Sequence, residues 1–329
     1  MIYCNGLAKY SLAMMRCLVT GGAGFIGSNL CKTLAKNGHD VTAADTFLSS
    51  HWNTLSDFEG DVLTLADRLD IDSIRERVRR DGAFDVIFHQ AAITGVIAAD
   101  GSASAGDDFQ TFLRNNVEQF RQLLDLAVDT GARVIWASSC SVYGRNSPPM
   151  VETQRVDPLN VYAFSKVQNE RLARRYADKL RHPVVGLRYS NVYGPGEAYK
   201  GKLSSMIHQL AGQMRQGKKP RIFQAGEQRR DFVYIDDVVS ANLAAMTARE
   251  SCVVNAGAGR SWSFNDVVQE LNRALKTDLA PNYFDNPYGF TQDWTECDMT
   301  LAKEKLAFVP QFDLANGIDA YAKSGKLGV

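Results

Sequence analysis

Short apolar runs alternate along this chain with longer stretches in which apolar residues recur every three or four positions. In the first half the runs are "CLVT" (17–20), "DVTAAD" (40–45), "FDVIFHQAA" (84–92), "ARVIWASS" (132–139) and "PVVGLRYSNVYG" (183–194). Runs of this kind mark strands buried on both faces. Between them, Ile26, Leu30 and Leu34 repeat at helical spacing up to Gly38, and a second helix is expected around 70–80. Phe109, Phe112, Leu113, Val117, Phe120 and Leu124 place a broad apolar face on one long helix over 107–130. Another helix is expected over 161–181. The rhythm predicts an α/β fold, a parallel sheet with helices on both faces. In the second half, "RDFVYIDDVVSANLAAMTA" (230–248) reads as strand then helix, and "VVNAGAG" (253–259) as strand and glycine turn. "FNDVVQELNRAL" (264–275) and "DLANGIDAYAKSG" (313–325) read as amphipathic helices.

The turn after the first run carries Gly21, Gly24 and Gly27 and opens directly into a helix. Such glycines allow a tight turn, close approach of a pyrophosphate, and close helix–sheet packing. The free amides at the helix start, around Phe25 and Ile26, suit phosphate oxygens. This is the dinucleotide-binding turn of a doubly wound, Rossmann-type sheet. Asp45 ends the second strand, eighteen residues beyond Gly27, where an acid accepts ribose hydroxyls. The following "TFLSSHWNT" has no lysine or arginine, so NAD is favoured over NADP. NADP would need His51 or a more distant arginine. Asp67 and Arg68 are expected to end the next strand, near the adenine. On this reading residues 15–190 form the dinucleotide-binding domain, with 231–256 returning to it. Residues 191–230 and 257–325 then form a smaller C-terminal substrate-binding domain.

"VYAFSK" places Tyr162 and Lys166 one helical turn apart. The spacing alone also suits a surface pair worth a few tenths of a kcal/mol. In a chain with a dinucleotide turn it suggests a proton carrier, because an ammonium beside a phenol favours the phenolate and lowers the tyrosine pKa. Ser138, Ser139 and Ser141 follow the strand "RVIWA", at the carboxyl edge where ligands of such sheets bind. A serine and the tyrosine can then grip one substrate oxygen, with Lys166 holding the tyrosine and the nicotinamide ribose.

Composition narrows the partners. Lysine plus arginine equals aspartate plus glutamate at 37 each, and no basic run occurs. Nothing here supports nucleic acid or anionic membranes as partners. No apolar run reaches the length of a membrane span. Six cysteines include no CxxC pair and five histidines are scattered, so no metal site is expected. The cysteines read as the reduced, buried thiols of a cytoplasmic protein. Residues before about 15 read as a short extension ahead of the first strand.

"TGGAGFIGSNL", "HQAA", "SSCSVYG", "YAFSK", "RYSNVYGP" and "RDFVYIDDV", in this order, resemble the extended short-chain dehydrogenase/reductases that act on nucleotide sugars. The resemblance covers residues 15–325. It implies Ser139, four before Tyr143, as catalytic serine, Ser141 as a neighbouring substrate contact, and Tyr162 and Lys166 as the catalytic pair. It implies Gln90, Ala91 and Ala92 against the cofactor, with Tyr189, Asn191 and Val192 at the cofactor–substrate junction. "NVYGPGEAYKGKLSSMIHQL" and "PYGFTQDWTECDMTLAK" are most similar to the ADP-L-glycero-D-manno-heptose 6-epimerase branch, which makes a lipopolysaccharide precursor. That likeness implies Lys200 as a second proton carrier, needed because the oxidised sugar must turn over between hydride removal and return. It implies His208 and Arg230 near the nucleotide diphosphate, Asp231 and Asp236 as loop organisers, and Tyr288 and Gln292 in a lid. The segment "ITGVIAADGSASAGDD" keeps Thr94 as a substrate contact but has Gly95, Val96 and Ile97 where that branch has hydroxyls. An apolar wall there suits a different or deoxy sugar. The alternatives are a UDP-sugar 4-epimerase, sharing Ser139, Tyr162 and Lys166 without dependence on Lys200, and a non-enzymatic NAD-sensing module. A dehydratase is disfavoured because Cys140 stands where an acid is needed. Family members commonly pair between subunits, so a homo-oligomer is expected.

Overall fold

A computed structural model describes residues 13–66, 70–94, 109–286 and 293–329. Seven strands form one sheet: β1 (Arg16–Thr20), β2 (Asp40–Asp45), β3 (Asp61–Thr64), β4 (Val86–His89), β5 (Arg133–Ser139), β6 (Val184–Tyr189) and β7 (Cys252–Ala256). Their spatial order is β3-β2-β1-β4-β5-β6-β7, and every neighbouring pair is parallel. The winding reverses between β1 and β4, the place where such sheets bind ligands.

The helices are α1 (Phe25–Lys36), α2 (Ile71–Asp81), α3 (Phe109–Phe112), α4 (Gln119–Thr130), α5 (Val161–Tyr176), α6 (Met206–Arg215), α7 (Ile235–Ala245), α8 (Phe264–Leu275), α9 (Thr300–Leu306) and α10 (Leu314–Lys323). Helices α1 and α7 pack together, and α4 packs with α2 and α5. The two-residue period of a strand sends side chains to both faces. Cys17 and Val19 join the α1 side, while Leu18 joins the α4 side. Likewise Ile135 and Ala137 oppose Val134 and Trp136. Trp136 is fully buried, and a Cβ on Gly186 of neighbouring β6 would lie 2.7 Å from its ring.

Three expectations are corrected. The stretch read as one regular helix over 107–130 is α3, a π-helical segment over Leu113–Glu118, and α4. The wider turn carries Asn116 into the interior. The helix expected to reach 181 stops at Tyr176. The third strand stops at Thr64, short of Asp67 and Arg68, which lie outside the described residues.

Beyond β6 the chain makes short ladders: Asn191–Tyr193 with Phe232–Tyr234, Arg229–Arg230 with Trp262–Ser263, and Arg221–Phe223 with Asn282–Phe284. Asp231 fastens this region. Its buried carboxylate accepts the N–H groups of Ala258 (2.7 Å), Gly259 (3.1 Å) and Cys297 (3.0 Å). The matching job on the next helix belongs to Asp237 rather than Asp236, through the N–H groups of Gln311 and Phe312. Among the described residues no helix is long and apolar enough to cross a membrane.

Candidate active site

The turn after β1 is as tight as its glycines suggest. Gly21 has φ +68°, and a Cβ there would sit 2.7 Å from the Ala91 nitrogen after β4. A Cβ on Gly27 would come within 2.0 Å of the Gly21 carbonyl oxygen. No side chain of its own caps α1, so its first amides, at Phe25 and Ile26, are available as donors. Asp45 is buried at the end of β2. Its Oδ2 accepts the Ala23 N–H (2.9 Å), and its Oδ1 accepts the Phe47 N–H (2.9 Å) and the Ser50 hydroxyl (2.8 Å). One carboxylate thus ties the glycine turn to the loop after β2. The cradle fits a dinucleotide: a close backbone, free helix amides and an acid at the second strand end.

Along the same edge stand Ser139, Tyr162 and Lys166. Ser139 ends β5, and its Oγ accepts the Ser141 N–H at 3.2 Å. Asn160 caps α5 by accepting the Ala163 N–H (2.8 Å), which sets Tyr162 in the first turn. Ser139 lies near enough to the Tyr162 hydroxyl to oppose part of the effect of burial on it. Lys166 lies one turn on, its Nζ 5.5 Å from the Tyr162 ring centroid and donating to the Ala137 carbonyl at 2.7 Å. The Ser141 Oγ is buried without a protein partner.

The expected lowering of the tyrosine is overturned here. Burial pushes Tyr162 up to about 12, against the smaller effect of Ser139, and pushes Lys166 down to about 8. Spacing gave Lys166 a phenolate to stabilise; in the fold its ammonium is desolvated and turned to a backbone oxygen. A lysine titrating near 8 is itself fit to exchange protons near neutrality. His89 beside it is buried, held down to about 3 by desolvation and by Lys166, and paired with the Thr20 hydroxyl at 2.8 Å. It is a neutral core histidine.

Several contacts that shape the site join residues far apart in the sequence, and they bring in Asn116, Glu170, Arg188 and Asn242, which no sequence pattern singles out. Tyr189, Gln90 and Asn242 close a ring: Tyr189 Oη donates to Gln90 Oε1 (3.0 Å), Gln90 Nε2 to Asn242 Oδ1 (3.1 Å), and Asn242 Nδ2 to Tyr189 Oη (2.8 Å). Asn116 bonds both the N–H and the carbonyl of Ile93 and reaches Ser165 on α5 (3.1 Å). It locks the segment after β4 to the helix of Tyr162. Glu170, one turn beyond Lys166, takes a two-pronged bond from Arg188 and the Ser138 hydroxyl, each contact 2.8 Å. The paired asparagines in "RNNVEQF" were the visible trace of Asn116; the rest depends on strand order.

The other candidates are more dispersed. Lys200 lies in a 3-10 stretch (Ala198–Leu203), its Nζ 5.5 Å from the Phe25 ring, with burial lowering its pKa and Glu197 opposing that. His208 Nδ1 takes the Tyr321 hydroxyl (2.8 Å) and the Gly328 N–H (3.3 Å), which leaves its proton on Nε2. Arg230 packs over Phe264 and donates to the Arg229 carbonyl. Asn191 is exposed and bonds the Asp231 carbonyl, Val192 is half-buried, and Thr94 is exposed. Ala91 and Ala92 are half-buried beside the glycine turn. Gly95, Val96, Ile97, Tyr288 and Gln292 lie outside the described residues. No cluster of three metal-ligating side chains occurs among the described residues.

Residues 17–257 match the model of the NAD dependent epimerase/dehydratase family. An ADP-L-glycero-D-manno-heptose-6-epimerase of Alkalilimnicola ehrlichii is 37% identical over 321 residues, 92% of this chain and 95% of its own. The crystal structure of the Helicobacter pylori ADP-L-glycero-D-manno-heptose-6-epimerase superposes with TM-score 0.85 at 35% identity, covering 94% of this chain and 96% of that one. A Thermotoga maritima UDP-glucose 4-epimerase, solved with UDP-glucose, gives TM-score 0.84 at 30% identity, covering 95% and 99%.

Proposed function

The chain belongs to the NAD dependent epimerase/dehydratase family, and from that premise we propose that it inverts C6 of an ADP-linked manno-heptose by transient oxidation. The observation that carries the epimerase chemistry is the grouping of Ser139 at the end of β5 with Tyr162 and Lys166 on α5, Lys166 Nζ 5.5 Å from the Tyr162 ring centroid, on the edge that holds the glycine turn. The 6-position and the ADP-heptose follow from the relatives' likeness over nearly the whole chain.

When bound, the nicotinamide supplies a hydride acceptor that later returns the hydride. The chain's residues handle the rest. The Ser139 and Tyr162 hydroxyls hold the reacting sugar oxygen. Buried Tyr162 carries its own proton, so it takes the sugar's only as it passes that proton on, and Lys166, titrating near 8, is the base beside it that can receive it. After the keto sugar turns over, the oxygen needs a proton in a second orientation. Lys200 is suited to that because burial eases loss of its proton. His208 Nε2–H and Arg230 are the donors offered to the nucleotide diphosphate. NAD is the cofactor favoured: a 2′-phosphate would meet the Asp45 carboxylate, and no lysine or arginine occurs over 46–54. Residues 191–230 and 257–325 carry the sugar side, in a cytoplasmic homo-oligomer.

The second reading is UDP-sugar 4-epimerisation, favoured by the likeness to the Thermotoga enzyme. The test is NMR of cofactor-loaded protein with ADP-D-glycero-D-manno-heptose and, separately, UDP-glucose. The L-glycero isomer is expected from the first. UDP-galactose from the second, with no heptose turnover, would replace the assignment.

A further inference from the structure

The hydrogen-bonded ring on the α7 side of the sheet runs in one sense, and Asn242 sets it. Asn242 is fully buried on α7. Its Nδ2 donates to the Val238 carbonyl one turn earlier (2.8 Å) and to Tyr189 Oη (2.8 Å). A carbonyl can only accept, so Val238 fixes which end of the amide is the nitrogen. The other partners follow in order. Tyr189 Oη takes the second Asn242 hydrogen, and its own proton goes to Gln90 Oε1 (3.0 Å). Gln90 Nε2 then faces Asn242 Oδ1 (3.1 Å) with one hydrogen and keeps the other.

The ring joins strands that are not neighbours. Gln90 follows β4 and Tyr189 ends β6, while β5, between them, ends in Ser139, the register partner of Tyr189. Gln90 is half-buried beside the glycine turn: its N–H donates to the Thr20 carbonyl (3.0 Å), and a Cβ on Gly21 would lie 3.0 Å from its carbonyl carbon. An amide free to turn over would present oxygen or nitrogen there indifferently. We propose that Asn242 is a positioning residue for the cofactor: through the ring it holds the Gln90 amide in one sense, so that the remaining Nε2–H is offered to an acceptor oxygen of the dinucleotide. Asn242, with no exposed surface, acts only through Gln90. The inference rests on the dinucleotide reading of the glycine turn.

The test is calorimetric titration of NAD, without sugar, into nucleotide-free wild type, Asn242→Leu, Gln90→Leu and the double variant. Leucine keeps the volume at 242 and removes the amide. Asn242→Leu is expected to bind NAD about fivefold more weakly, the worth of one net hydrogen bond. Gln90→Leu should lose as much, and the double variant no more than Gln90→Leu alone, because the two act as one unit. Asn242→Ser keeps a hydroxyl for the Val238 carbonyl but is too short for Gln90; it should show the same loss, and it stands in if the leucine variant does not fold. Val239→Ala loosens α7 without removing a member of the ring and should leave NAD affinity unchanged. Wild-type affinity in the Asn242 variants, additive losses in the double variant, or an equal loss in Val239→Ala would overturn the positioning role. A wild type that does not bind NAD at all would overturn the cofactor reading, and the role of Asn242 with it.

Discussion

Replacing Lys166 with methionine keeps the stem and removes the charge, and its effect on folding should depend on pH. The lysine is 2% exposed, and burial moves its pKa from 10.5 to about 8. At about 1.4 kcal/mol per unit, carrying this charge costs the fold about 3 kcal/mol at pH 7. The unfolded chain holds the proton more tightly, so wild-type stability rises with pH. The penalty is complete below about pH 8 and fades as pH rises from about 8 to about 10.5. Between pH 7 and 9.5 wild type should gain about 2 kcal/mol relative to Lys166→Met. Methionine also leaves the Ala137 carbonyl without its donor, at a cost of about 1–3 kcal/mol, but that loss does not vary with pH. The slope of the difference is therefore the test, not its sign at one pH. Urea unfolding of both proteins at several pH values gives it directly. A flat difference would mean that Lys166 keeps its ordinary affinity for the proton despite burial.

Three further outcomes are expected. Tyr162→Phe should lose about two to four orders of magnitude in turnover with NAD binding kept, checked by steady-state assay alongside cofactor titration; near-wild-type turnover would remove Tyr162 from its role. Glu170→Gln should cost about 3–5 kcal/mol, because Arg188 is left charged in the interior, and denaturant unfolding will show it. Gly27→Ala should abolish NAD binding, because its Cβ has no room against Gly21; calorimetry measures this, and circular dichroism checks that the sheet persists.

The strand–helix rhythm and the glycine turn made the fold readable because both are local: a strand, a turn and a helix in consecutive residues. Tyr162 and Lys166 could be placed for the same reason, being one turn apart, whereas the strand end left Ser138, Ser139 and Ser141 open and only the family resemblance singled out Ser139. Their electrostatics were not readable. The spacing counts an ammonium near a phenol, whereas the direction of both shifts is set by desolvation beneath the sheet edge, which no spacing encodes. The π-helical segment at Leu113–Glu118 escaped because its apolar positions also satisfy an ordinary helix. The Glu170–Arg188–Ser138 contact and the Tyr189–Gln90–Asn242 ring join residues far apart in the chain, so only the order of strands reveals them. Asp236 and Asp237 are adjacent acids, and helix phase alone decided which one holds the Gln311 loop.

In the proposed epimerisation one hydride leaves the sugar carbon and returns to it, while Tyr162 and its neighbours move only oxygen-bound protons. The most direct measurement is epimerisation of ADP-D-glycero-D-manno-heptose run in D2O, with the carbon-bound hydrogens of the product read by NMR. The L-glycero product is expected to keep protium at C6, since the hydrogen never mixes with solvent. Deuterium at the inverted carbon would contradict it and point to inversion by removal and return of a proton.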